Sequence, residues 1–144
     1  MSSRFIVGIT GGVGSGKKKL AETLLKSDIL RSRINVDICR NFEKKNYDFK
    51  VFIDKPVEKL MIKYVIHLED KILLDRSQLF QKLQKFQEFH RAEILPNRKF
   101  ADFYIENLED EARVHELELS ILSRLKSGKP EESEEVRNYL EMSE

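Results

Sequence analysis

The sequence predicts a small three-layer α/β fold with a mainly parallel sheet. Three observations carry that reading. Short apolar runs of strand length are interleaved with longer segments whose apolar residues recur at helical spacing. Five of the six glycines (Gly8, Gly11, Gly12, Gly14 and Gly16) crowd into nine positions between the first apolar run and the first helical segment. Such clustering marks one place where the backbone must turn in ways that side chains forbid. Finally, 144 residues and 17.0 kDa fit one ordinary domain with room for a real core.

Taken in order, Phe5 to Ile9 is β-branched and apolar, as a buried parallel strand would be. Leu20, Ala21, Leu24 and Leu25 then predict a helix over 16–26. Arg33 to Ile38 reads as a second strand, Asn41 to Asp48 as a polar connection, and Lys50 to Ile53 as a third strand closed by Asp54. Pro56 suits a first helical turn, and Leu60, Met61, Tyr64, Val65 and Leu68 form the apolar face that follows. A further helix is expected over 77–93, with Ser77 as its N-cap and with Leu79, Phe80, Leu83, Phe86 and Phe89 or His90 inward. Pro96 interrupts that pattern, and Phe103 to Ile105 is a short strand. The last helix is expected over 108–126, with Ala112, Leu117, Ile121, Leu122 and Leu125 inward, ending at Gly128 and Pro130. The sequence divides into one domain over 1–128 and an acidic tail over 129–144.

Composition excludes several classes. Lys plus Arg is 26 and Asp plus Glu is 25, a net charge of +1, which argues against a dedicated nucleic-acid partner. No apolar run approaches the roughly 18 residues of a membrane span, so no membrane partner is expected. Cys39 is the only cysteine, which excludes a disulfide scaffold and makes a cytoplasmic setting the expectation. His67, His90 and His115 have no metal-like spacing with one another or with Cys39, so they read as surface or packing residues and no metal site is expected. Phe80, Phe86 and Phe89 are expected in the core, or, if left uncovered, against a partner subunit.

The segment Gly11-Gly12-Val13-Gly14-Ser15-Gly16-Lys17 matches the first seven positions of the phosphate-loop pattern G-x-x-x-x-G-K-[ST], with a strand leading in and a helix leading out. In such a loop successive N–H groups face one concavity, the helix end adds partial positive charge, and the lysine reaches the outer phosphates. ATP is the expected ligand of residues 11–18. The eighth position is Lys18 where the pattern has a hydroxyl that coordinates Mg²⁺. An ammonium has no lone pair to offer a metal, so Mg²⁺ is not expected in its usual place. Lys18 either supplies part of the metal's charge or faces water.

FIVGITGGVGSGK resembles the first strand and phosphate loop of the uridine kinase family of P-loop kinases. KVFIDKPVEKL resembles the strand and acidic turn before that family's lid helices. QLFQKLQKFQEFHRAEILPNRKFADFYIEN is similar to its closing stretch, through Pro96, Arg98, Lys99, Phe100, Ala101 and Asp102. Dephospho-CoA kinase shares a similar loop and Ala-Asp-strand ending. The resemblance implies a shortened, nucleoside kinase-like P-loop NTPase fold. It implies transfer of the ATP γ-phosphate to uridine or cytidine, with Lys17 at the phosphates and Asp37 activating the sugar hydroxyl. A homo-oligomer is implied as well.

Three departures bear on that activity. Lys18 replaces the metal hydroxyl; the lid helix LMIKYVIHLEDKILLDR lacks the family's arginines; and only 35 positions separate Gly16 from Val51. Phosphoryl transfer depends on charge neutralisation and alignment, so these losses predict weak or absent turnover. Nucleotide binding through backbone N–H groups could survive them. The alternatives are a non-catalytic relative that binds a kinase subunit, a dephospho-CoA kinase-like enzyme, and a truncated product without a role. Lys59, Lys63, His67 and Lys71 form one basic stripe, read as a solvated face.

Overall fold

A computed structural model describes residues 5–71 and 75–127. The expected tail and its boundary at 128 lie outside the described residues, as does the helix ending at Gly128 and Pro130. The fold is mixed α/β with a four-stranded, all-parallel sheet in the order β2-β1-β3-β4.

Strand β1 (Phe5–Gly11) is central, with β2 (Ile34–Ile38) on one side and β3 (Phe49–Ile53) on the other. Strand β4 (Phe103–Ile105) pairs with β3, Phe52 facing Tyr104. The register sets Gly8 beside Asp37 and Lys50, and Gly11 beside Ile53. Because side chains alternate across a strand, Phe5, Val7 and Ile9 share one face with Val51 and Ile53. That face packs on α1 (Lys17–Leu25) through Leu20, Ala21 and Leu24, and on α4 (Glu111–Ser127) through Val114, Leu117 and Ile121. The opposite face carries a smaller cluster of Phe42, Phe52 and Ile94, supplied by two short turns rather than by a long helix.

Helices α2 (Val57–Lys71) and α3 (Arg76–Phe89) follow β3. After α3 the chain widens into a π turn over His90–Ile94 and tightens into a 3₁₀ turn over Leu95–Phe100, with Pro96 in its first turn. Asn97, buried at the centre of these turns, accepts from the Phe42 N–H and donates to the carbonyls of Arg40, Glu93 and Ile94.

Four details differ from the sequence expectation. Asp75, not Ser77, caps α3: its carboxylate accepts from the Gln78 N–H at 2.7 Å while Gln78 accepts from the Asp75 N–H. Leu25 and Ala112 are exposed, and Val114 takes the inward place in α4. Phe80 is 61% exposed, because α3 turns its first half to solvent, whereas Phe86 is buried. Among the described residues no helix is long and apolar enough to cross a membrane.

Candidate phosphate-loop site

The chain runs from β1 to β2 on one side of the sheet and returns to β3 on the other. Between β1 and β3, therefore, the connections leave in opposite directions, and the crevice at their carboxyl ends is where open α/β sheets place ligands. The glycine loop lies there, between the end of β1 and the start of α1.

Two residues of the loop need glycine for backbone reasons: Gly14 has φ +79° and Gly16 has φ +98°. The Ser15 N–H closes the loop by donating to the Gly12 carbonyl at 3.1 Å. Gly16 is the N-cap of α1 and, having no side chain, leaves the helix end uncapped, with no acidic residue in the first turn. The first N–H groups of a helix have no partner within it. An uncapped end beneath a glycine loop therefore offers donors and a positive partial charge to an anion.

Gly11, Gly12 and Ser15 are buried, Gly16 and Lys17 half-buried, and Val13, Gly14 and Lys18 exposed. The Lys17 ammonium folds back and donates to the Gly11 carbonyl at 3.1 Å. Burial lowers its pKa; the Cys39 thiol works against that shift, and the Arg40 guanidinium adds to it. The amine thus sits in a desolvated position where an anion would restore its preference for charge. Lys19 reaches Glu109 at 4.0 Å, a bridge between exposed side chains.

Asp37 lies on β2 beside Gly8, on the face away from α1. Its carboxylate accepts from the Tyr47 hydroxyl at 2.6 Å and lies 3.6 Å from Lys45 Nζ. The sequence reading missed Tyr47. Its ring lies over Gly8, where a methyl group would meet ring atoms at 2.8 Å. A glycine inside a strand was the available signal for that close approach. Burial first, and then the Asp37 carboxylate, push the Tyr47 phenol far up in pKa, so it remains a donor. Cys39 continues from β2, donates through its backbone N–H to the Ile9 carbonyl, and has a thiol raised in pKa by burial.

His90 is the second residue the sequence did not reveal as part of the loop's surroundings. It is 5% exposed, and its ring packs on Gly12: a methyl group there would lie 2.8 Å from Cε1 and 2.9 Å from Nδ1 and would overlap Leu60 Cδ1. Burial lowers the His90 pKa, against the pull of Asp54 and Glu58. Among the described residues, three buried side-chain polar atoms have no protein partner: Thr10 Oγ1, Ser15 Oγ and His90 Nδ1. All three belong to the loop or to the residues flanking it.

Helix α2 closes over the loop. Lys63 Nζ donates to the Gly14 carbonyl at 2.9 Å, so the basic stripe is not wholly a solvated face. Lys59 pairs with Glu106 at 3.2 Å, and His67 is exposed. Beside Val13 an open cavity of about 430 Å³ is lined by Tyr64 of α2 and by Gln78, Gln81, Lys82, Lys85, Phe86 and Phe89 of α3. Tyr64 and Phe86 stack at its wall with centroids 4.8 Å apart and planes 24° apart. Among the described residues no group of three His, Cys, Asp or Glu side chains gathers as metal ligands would. No protein-family model matches this chain, and no curated protein matches it.

Proposed function

We propose that the chain is an ATP-binding P-loop protein of the nucleoside kinase-like fold, with the triphosphate held by residues 11–18 and an acceptor in the adjoining cavity. The observation that carries this reading is the uncapped α1 terminus under two left-handed glycines, with a desolvated Lys17 beside it. Backbone N–H groups there would hold the β- and γ-phosphates, and Lys17 would turn from the Gly11 carbonyl to the outer phosphate. Thr10, Ser15 and His90 supply polar atoms that a polar ligand or its water shell could satisfy.

Phosphoryl transfer to a pyrimidine ribonucleoside is the reaction that the uridine kinase resemblance implies, with Asp37 receiving the hydroxyl proton. Asp37 is already engaged by Tyr47 and Lys45, and Lys18 offers Mg²⁺ no ligand, so turnover is expected to be slow. A non-catalytic role with nucleotide binding kept is the limiting case of the same reading.

The test is a thermal shift with ATP, with and without Mg²⁺, on the wild type and Lys18→Thr. Stabilisation of the wild type should be nearly independent of Mg²⁺ and should become Mg²⁺-dependent in the variant. At a hundred times Kd, ATP stabilises by about 2.7 kcal/mol, which moves the midpoint by roughly 5–10 °C in a domain of this size. A midpoint indifferent to ATP in both proteins would dismiss the reading.

A further inference from the structure

We infer that the acceptor taken by the cavity between α2 and α3 is a nucleotide, a planar base that already carries a phosphate, rather than an uncharged nucleoside. This rests on the reading of the loop as the donor site and specifies the partner molecule.

The cavity wall has two chemistries. Half-buried Tyr64, backed by the buried Phe86 ring stacked on it, and half-buried Phe89 make the aromatic part of the wall. A flat heterocycle would lie against it in offset contact. Gln78 and Gln81 add amide donors and acceptors that can meet the ring's edge. Lys82 and Lys85 line the same cavity. Residues 78, 82, 85 and 89 follow one another at spacings of four, three and four, so a single face of α3 presents the amide, both ammonium groups and the Phe89 ring.

The charge is one-sided. Among the described residues no carboxylate lines the cavity, and neither Lys82 nor Lys85 has an acidic partner within ion-pair distance. A third cation, the Arg40 guanidinium, sits 5.3 Å from the centroid of the Phe89 ring and also influences Lys17. Lys63 reaches the loop from α2. Positive charge therefore continues from the loop into the cavity. An uncharged nucleoside would use the aromatic wall and leave two ammonium groups without a counter-charge. A nucleoside monophosphate uses both. The volume suits such a molecule, lying within the roughly 300–1,000 Å³ of small-molecule sites.

Calorimetric titration of the full chain tests this. A non-hydrolysable ATP analogue is titrated first, alone; uridine, UMP, adenosine and AMP are then titrated with the analogue saturating. Each monophosphate should bind about tenfold or more tightly than its nucleoside, as a charge-assisted contact requires. In Lys82→Gln/Lys85→Gln that preference should fall to within about twofold, with the Kd of the analogue unchanged. Both lysines leave the core untouched, and a melting curve matching wild type verifies that the variant is folded. Equal affinity for nucleoside and monophosphate in the wild type overturns the inference while leaving the donor site intact. Loss of analogue affinity in the variant also overturns it, because the lysines would then hold the donor's phosphates. If the analogue fails to bind the wild type, the donor reading fails, and the monophosphates titrated without it decide the cavity separately.

Discussion

Gly12 shows how one residue ties the loop to its supports. Its φ is not in the left-handed region, so backbone freedom is not what it provides. What matters is space, since Leu60 and the His90 ring occupy the volume that any side chain would need. Gly12→Ala should therefore destabilise the protein by about 1–3 kcal/mol, the usual cost of overpacking, read as a lower urea midpoint at unchanged slope. Gly14 is the opposite case, with open surroundings and φ +79°. The glycine cluster was legible in the sequence because its spacing is local. The neighbours that make Gly12 obligatory come from residues 48 and 78 positions further along, and no spacing rule reaches that far. Tyr47 over Gly8 was hidden for the same reason, although the strand glycine pointed to some close approach.

At the level of the elements, apolar periodicity located the four strands and four helices of the described residues, because each carries apolar residues at its own spacing; the four strands, α1 and α4 bury theirs in the two clusters. Ends and phases were less accessible. The expected cap Ser77 gave way to Asp75, whose reciprocal bonds with Gln78 follow an acid-x-x-amide spacing already present in the sequence. Asp75→Ala should cost about 0.5–2 kcal/mol, with fraying of the start of α3 visible as faster amide exchange at residues 76–79. In α4, Leu117, Ile121, Leu122 and Leu125 pack inward as expected, and only near the helix start does buried Val114 stand in for exposed Ala112. Ala112 is small and indifferent to either side, so the sequence alone did not fix which residue of the first turn faces the core. The π turn after α3 also has no periodic signature, yet it is what carries the His90 ring to the loop.

For the molecule as a whole, the parallel sheet and the crevice position follow from strand order, and strand order follows from long-range pairing that composition does not encode. One global property follows from His90. Burial holds its folded pKa below the ordinary 6.5, so in the window beneath 6.5 the unfolded chain takes up the proton more readily. Stability is then complete above about 6.5 and declines as pH falls toward the folded pKa. The melting midpoint should drop on acidification from pH 7.5 to 5.5, and His90→Leu should show a shallower drop. An identical pH slope in the two proteins would remove His90 as the cause.

The far side of β4 carries a last consequence. Ile105 accepts from the Asp54 N–H, so in a parallel pair the carbonyl of Tyr104, one residue earlier, points outward. Arg113 of α4 donates to that carbonyl from both Nε at 3.2 Å and a terminal nitrogen at 2.6 Å, with its guanidinium 3.9 Å from the centroid of the Phe103 ring. The acceptor that a fifth strand would seek is already taken by a cation from the same chain. Growth of the ladder into a neighbouring molecule, the first step toward fibrils, is thereby discouraged at this margin.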